Sequence, residues 1–359
     1  MKILSIETSC DETAVAVLDI SGALESPDIK VLGNTLYSQA HLHEEFGGVY
    51  PNLARREHEK NLPTILERSL RESGLGVLDM DFIAVTEGPG LEPALWTGIT
   101  FAQRLGEEWG KPVVGVNHMR GHIYSVLYSP DTSSEKRELR FPLLALLVSG
   151  GHTELVRMDK IGQYQILGRT RDDAVGEAFD KVARLLNLPY PGGPKVSALA
   201  EEDRKVNKEA TIDLPRPMMH SGDLDFSYSG LKTAVLYKTK GVNLDEVERR
   251  AMARSFEDAA IDVLISKTKQ AIDTSEVDIN TLVVAGGVSA NKHLVSEVER
   301  LKESYPQLDI LIPDQKLTGD NAIMIGIASF IKVSLDPQVL ENKEEIKANG
   351  NLRITSSEA

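Results

Sequence analysis

Two imidazoles four residues apart, His118 and His122 in the stretch HMRGH, are the strongest chemical feature of this chain. On a helix, positions i and i+4 share a face, so the pair can chelate one metal ion. Two histidines leave a ligand set incomplete. Asp320, in LTGDNAIMIG, is the best third candidate because it stands between a glycine and an apolar helical run, where a carboxylate can point into a cleft. Such a set suits zinc and ferrous iron equally. A protease of the HExxH type needs a glutamate directly after the first histidine, and Met119 occupies that place. A second carboxylate, Asp11 in SCDET, sits in a polar turn where it could position a nucleophile or accept a proton.

Several glycine-rich turns could bring backbone N–H groups close to a phosphate. They are Ser149-Gly150-Gly151-His152-Thr153, Gly286-Gly287-Val288-Ser289-Ala290-Asn291 and the rigid loop Tyr190-Pro191-Gly192-Gly193-Pro194. The second lies between a strand and a helix, where a nucleotide can rest against a helix N-terminus. Neither GxGxxG nor a P-loop GK[ST] is present at that position. Asp180, in GEAFD, could accept hydrogen bonds from ribose hydroxyls. Taken singly, each turn also reads as an ordinary connection, and the histidine pair as two core or surface residues.

The elements that must carry these residues alternate between strand and helix. Ile3–Ile6 and Ala14–Leu18 flank the polar turn at Thr8–Thr13, and Leu143–Val148 and Leu155–Val156 flank the Ser-Gly-Gly turn. The same strand–turn–strand unit thus occurs twice, which points to two related lobes. Between and after them, the patterns predict strands at Phe82–Thr86, Val113–Val116, Thr281–Ala285 and Leu308–Ile312. Helices are predicted within Glu57–Gly74 (after Pro63), Thr97–Trp109, Ala290–Leu301 and Asn321–Ile331. The class is α/β with mixed sheets. Two hairpins facing a cleft and a late strand–Gly-Gly–helix suggest a two-lobed, actin-like nucleotide-binding architecture. The polar stretch Ser129–Arg140 is the candidate boundary. The division is residues 1–130 plus about 310–335 for the first lobe, 131–309 for the second and 336–359 for a polar, peripheral tail.

The chain has 359 residues and a formal charge of −14, from 40 basic and 54 acidic side chains. That balance opposes nucleic acid as a partner unless basic residues cluster locally or another protein helps. The single cysteine, Cys10, cannot form an internal disulfide and fits a reducing cytoplasm. No stretch reads as a secretory signal or a membrane span.

Read in order, ETSCDETAVAV, GGVYPNLARREH, GPGLEPAL, GVNHMRGH, LLVSGGHTEL, GEAFDKVARLL, YPGGP, FSYSGLKTAV, LVVAGGVSANKHL and TGDNAIMIGIAS closely resemble one family. It is the tRNA threonylcarbamoyladenosine transferase (TsaD/Kae) family, formerly described as glycoproteases. The matching stretches run from residue 7 to about residue 329. The resemblance implies an actin-like/sugar-kinase-like fold holding a nucleotide between its lobes. It implies transfer of threonylcarbamoyl from L-threonylcarbamoyl-AMP to the exocyclic amine of adenosine 37 in tRNAs reading ANN codons, with release of AMP. It also implies one divalent metal ion, Fe2+ or Zn2+, on His118, His122 and Asp320. Donor contacts would fall at Leu147, Val148, Ser149, Gly150, Gly151, Asp180, Gly193 and Asn291, with Asp11 important for transfer. A TsaB-like paralogous partner and a TsaE-like small ATPase are implied, with tRNA held partly by them and locally by Arg55, Arg56 and Lys60. LLVSGGHTEL lacks the tyrosine that archaeal-type members place before Ser-Gly-Gly, so the bacterial type is favoured. Two positions depart from the pattern. Arg120 stands where many bacterial members carry an acidic residue, and Ser197 where many have a carboxylate. The alternative is a nucleotide-binding kinase or carbamoyltransferase of the same superfold, which would not need the histidine pair with a late aspartate.

Overall fold

The structure is a computed structural model and describes residues 1–131, 136–341 and 345–355. Part of the Ser129–Arg140 boundary and residues 342–344 and 356–359 of the tail therefore lie outside the described residues. The first sheet contains β1 (Lys2–Glu7), β2 (Glu12–Ala23), β3 (Ser26–Ser38), β4 (Phe82–Gly88) and β5 (Val113–Asn117). The second contains β6 (Leu143–Val148), β7 (Thr153–Met158), β8 (Gln165–Arg169), β9 (Thr281–Ala285) and β10 (Asp309–Leu311). The strand orders are β3-β2-β1-β4-β5 and β10-β9-β6-β7-β8. In each, three antiparallel strands meander and two parallel strands continue from the first of them. The two sheets share one topology, and the repeated hairpin in the sequence marks where each begins. This is the two-lobed actin-like/sugar-kinase-like arrangement.

The helices are α1 (Ala40–His43), α2 (Pro51–Ser73), α3 (Glu92–Trp109), α4 (His118–Ser125), α5 (Val175–Leu185) and α6 (Gly192–Val206). They continue as α7 (Ser229–Thr239), α8 (Glu246–Asp273), α9 (Lys292–Glu299), α10 (Leu301–Ser304) and α11 (Ala322–Leu335). Alternation along the central strands sorts them into layers. Leu4 and Ile6 of β1 face a core under α2 and α3, whereas Ile3 faces inward. Leu143, Ala145 and Leu147 of β6 face that same inner core, and Leu144, Leu146 and Val148 face an outer core under α5 to α8. The apolar helix α11 fills the space between the sheets together with α4, with Met324, Ile325 and Ile327 in the inner core. Burial on both faces explains why β6 reads as an unbroken apolar run and β1 as a mostly apolar one, with the buried Ser5 and Glu7 inside it.

Helix α2 starts at Pro51, well before the predicted stretch, and Pro63 lies inside it rather than ahead of it. The predicted helix at Ala290–Leu301 begins as a short turn at Gly287–Ala290 before α9. The tail is less peripheral than its polar composition suggests. Ile354 is buried in the inner core, and Asn349 N–H donates to the Glu87 carbonyl at 2.9 Å.

Candidate active site and metal centre

Helix α4 leaves β5 with Asn117 as its N-cap, whose side chain accepts the N–H groups of Met119 and Arg120. The cap places His118 in the first turn and His122 one turn on, both buried, with ring centroids 4.7 Å apart. The loop before α11 is fixed similarly. Asn321 accepts Met324 N–H, and its amide donates to the carbonyls of Leu317 and Gly319. Asp320 is held between these anchors. Its Oδ1 lies 3.3 Å from His118 Nε2 and 3.2 Å from His122 Nε2. Residues 202 positions apart thus converge, with their candidate ligand atoms all within 4.8 Å of one another.

The electrostatics fit a cation at this point. Both nitrogens of His122 are buried without a properly angled hydrogen bond. Leaving such groups unpaired costs about 1–3 kcal/mol each, and an ion coordinated at Nε2, which faces Asp320, would relieve one of the two. Burial opposes a charge on Asp320, but His118 and His122 hold its carboxyl well below the usual carboxylate range. Burial also works against an imidazolium at His118, yet Asp320 and Glu7 outweigh it and raise that pKa well above normal. Burial, then the charges of Asp11 and Asp320, pushes the Glu12 carboxyl well up. Nearby carboxylates and the buried imidazole pair make His118, His122 and Asp320 a group that could hold a positive ion.

A residue not singled out from the sequence completes the set. Glu7, fully buried at the end of β1, accepts from or faces His118 Nδ1 at 3.1 Å. Its carboxylate also accepts Thr86 Oγ1–H at 2.6 Å and Ser9 N–H at 2.5 Å. A carboxylate on the far nitrogen of a ligand histidine fixes its tautomer and orientation. Its only signal in the sequence was an acid interrupting an apolar strand.

Asp11 is buried at the tip of the first hairpin, and its carbonyl accepts Gln39 N–H at 3.0 Å. Below it runs a buried polar network that sequence reading also missed. His58 Nε2 meets the Cys10 carbonyl at 3.0 Å, and its Nδ1 meets Thr13 Oγ1 at 2.7 Å. His58 therefore grips both sides of the turn that presents Asp11. Asp11 is close enough to Asp180 and Tyr190 to raise the pKa of each, though burial is the larger cause for both. The hairpin tip thus faces the second lobe.

In the second lobe, Ser149 N–H donates to the His152 carbonyl at 2.8 Å, and His152 N–H donates to Ser149 Oγ. The Ser149 amide is therefore committed, and the amides of Gly150 and Gly151 are the ones able to meet a ligand. A Cβ at either glycine would meet nothing within 4 Å, so the backbone there borders open space. Leu147 and Val148 are fully buried strand residues whose side chains face opposite cores. Their reach to a ligand is through backbone only. His152 is nearly enclosed, and burial followed by the nearby His118 and His122 lowers its pKa to about 4. It is a neutral imidazole beside the cluster.

The remaining expected contacts are partly engaged in holding loops. Asp180 Oδ1 accepts the N–H groups of Gly192 at 2.8 Å and Gly193 at 3.2 Å, pinning the start of α6 to α5. Gly193 has space around its Cβ position, whereas one at Gly192 would collide with Ala183. Asn291 caps α9 through Leu294 N–H, and its amide donates to Ser197 Oγ at 2.9 Å and Glu257 Oε1 at 2.6 Å. Ser197 thus acts on the cleft through Asn291. On α2, Arg55 pairs with Glu59 and Lys60 with Glu57, leaving Arg56 without an ion pair among the described residues.

A family model described as tRNA N6-adenosine threonylcarbamoyltransferase (TsaD) matches residues 30–327. A protein of that name from Ralstonia pickettii is 44% identical over 347 residues, covering 95% of this chain and 94% of its own. One from Thermosipho africanus is 40% identical over 356 residues, covering 99% and 100%. One from Geobacillus kaustophilus is 43% identical over 334 residues. Among solved structures, HypF from T. kodakarensis aligns with a TM-score of 0.57 at 13% identity, covering 95% of this chain and 49% of that one; this likeness concerns the fold alone. With matches along nearly its whole length, the chain belongs to the TsaD family of tRNA N6-adenosine threonylcarbamoyltransferases.

Proposed function

We propose that this protein transfers the threonylcarbamoyl group of L-threonylcarbamoyl-AMP to the N6 amine of adenosine 37 in tRNAs reading ANN codons. The observation that carries the reading is the convergence of His118, His122 and Asp320, with Asp320 close enough to act on Cys10 and Glu12 of the Asp11 turn and the histidines close enough to act on His152 of the Ser-Gly-Gly turn. In the reaction, the amine nitrogen forms a bond to the carbamoyl carbon, the bond from that carbon to the phosphate oxygen breaks, and AMP leaves. The amine is a poor nucleophile, because its lone pair is delocalised into the ring. Rate must therefore come from positioning and from stabilising charge on the acyl oxygen.

This chain's residues divide that work. The amides of Gly150 and Gly151 hold the donor phosphate, where charge accumulates as AMP departs. Asp180, having pinned α6 with one oxygen, offers the other to the ribose, and Gly193 lets that loop approach closely. Asp11 orients the incoming amine and takes the proton it sheds. His118, His122 and Asp320 would hold a divalent ion, with Glu7 orienting His118. When bound, such an ion supplies Lewis acidity and a fixed point for the threonylcarbamoyl group. The acceptor base must leave its stack to enter, which a single-stranded loop permits at least cost.

A net charge of −14 makes the isolated chain a poor platform for tRNA. A TsaB-like paralogue and a TsaE-like ATPase would supply the rest of the surface, with Arg56 contributing locally. The cytoplasm, where tRNA resides, is the proposed location; no described helix is long and apolar enough to cross a membrane. The test is binding of radiolabelled donor followed by transfer. Asp11→Ala should bind donor within about threefold of the intact protein yet lose transfer by at least about 100-fold. Loss of donor binding would reassign Asp11 to structure.

A further inference from the structure

Residues 345–355 cross the first lobe behind the metal-site helix and are tied down along their length. Asn349 N–H donates to the Glu87 carbonyl, and Gly90 N–H donates to the Gly350 carbonyl at 3.3 Å. A Cβ at Gly88 would lie 2.0 Å from the Asn349 carbonyl oxygen, so the segment packs directly on the end of β4. Further on, Asn117 Nδ2 donates to the Arg353 carbonyl at 3.3 Å; this is the residue whose other amide atom caps α4. Ile354, only 1% exposed, enters the inner core shared by both sheets. Arg120 Nη2 then donates to the Thr355 carbonyl at 2.8 Å. Arg120 lies between the two ligand histidines, and its guanidinium rests over the Tyr164 ring at 4.7 Å. The Tyr164 hydroxyl in turn meets that of Tyr124, also on α4, at 2.6 Å.

These contacts place one side chain where three elements meet: α4, the loop before β8 and the C-terminal segment. We propose that residues 345–355 form a strap that sets the angle of α4, and that Arg120 is the positioning residue linking the strap to the His118–His122 pair. The inference rests on the metal-site reading above and adds to it a specific cause for the helix's orientation. A helix of eight residues has little rigidity of its own. Its cap, its flank and its arginine are all held by the strap, so the spacing of the imidazoles from Asp320 depends on that segment. Outer contacts of this kind typically govern metal affinity by about 10–100-fold.

The experiment measures Zn2+ affinity of the full-length, metal-free protein by competition with a chromophoric chelator. It is repeated for Arg120→Ala, Arg120→Lys, a chain ending at residue 344, and that shortened chain carrying Arg120→Ala. Circular dichroism and a single cooperative unfolding transition establish that each variant is folded. Arg120→Ala and the shortened chain should each bind Zn2+ at least about tenfold more weakly. Arg120→Lys, which keeps a donor for the Thr355 carbonyl, should recover most of the loss. Combining the two changes should cost little more than the truncation alone, because both break one linkage. Unchanged affinity in folded Arg120→Ala would overturn the strap even if the shortened chain failed to fold, and so would losses that simply add. If the intact protein takes up no Zn2+ at His118 and His122, the metal-site reading itself falls, a different outcome from an intact site that ignores the strap.

Discussion

At the scale of single residues, the site separates groups that would meet substrate from groups that hold those groups in place. The Asp11 carbonyl accepts Gln39 N–H, and its carboxylate meets the side chains of Cys10 and Glu12. Asp11→Asn keeps a side chain of the same size that can hydrogen-bond to both, so thermal stability should change little while transfer falls steeply. His152 gives a sharper electrostatic test. Its pKa in the folded chain is lowered from 6.5 to about 4, mainly by burial, so the unfolded chain takes up the proton first. Its contribution is intact above pH 6.5 and is lost as the pH falls from there towards 4, by up to about 3 kcal/mol. The stability of His152→Gln relative to the intact protein should therefore rise through that window in denaturant titrations of the metal-free protein. The members of the cluster were legible in the sequence: the i, i+4 spacing marked His118 and His122, and Asp320 stood out between a glycine and an apolar helical run, as Asp11 did in its polar turn. Glu7 and His58 were not. Each matters only through a partner delivered by tertiary pairing, Thr86 across the β1–β4 ladder for Glu7 and Thr13 on β2 for His58.

At the scale of elements, turns and caps carry the placement. Gly286 adopts φ +97°, and a Cβ there would lie 2.4 Å from the Val148 carbonyl oxygen. Both the left-handed backbone and the close approach to β6 exclude a side chain. Gly286→Ala should destabilise the protein by about 1–3 kcal/mol and weaken donor binding by displacing the end of β6. Asp180→Ala removes the acceptor for two N–H groups at the start of α6. It should cost about 1 kcal/mol in stability, measured by urea unfolding, together with looser donor binding. The central strands and the helix ahead of β5 were readable because apolar runs and glycine stops mark them. The long polar-looking helix α8 and the edge strand β3 were not singled out. Helix α8 buries polar and charged residues such as Arg254, Glu257 and Lys267 against ionic or hydrogen-bonding partners, which blurs its periodicity. Strand β3 alternates around intermediate exposure at the sheet edge, so its burial pattern is weak. Asp180 and Asn291 were expected at the ligand, but their hydrogen bonds to loop and cap depend on segments that meet only after folding.

At the scale of the whole molecule, a duplicated sheet topology brings two hairpin turns to one cleft, and the segments returning late in the chain complete it. Asp320 arrives on the loop before α11, and the strap returns past α4. The duplication was legible because both hairpins lie near the surface of the sequence pattern as apolar–polar–apolar units. The strap was not, since Ile346, Leu352 and Ile354 are scattered through a polar stretch and its anchors are backbone groups. The acidic surface makes partner dependence the expected behaviour. Without added subunits, tRNA binding should be weak at physiological salt and steepen as salt is lowered. The most direct test of the central claim is reconstitution. The protein is incubated with labelled threonine, bicarbonate, ATP, the synthase, its candidate partners and unmodified tRNA, and the digested tRNA is searched for labelled adenosine. The intact protein should place the label on one adenosine of the anticodon loop, and Asp320→Ala should abolish it. No label from the intact protein in the presence of partners, or full labelling by Asp320→Ala, would contradict the account.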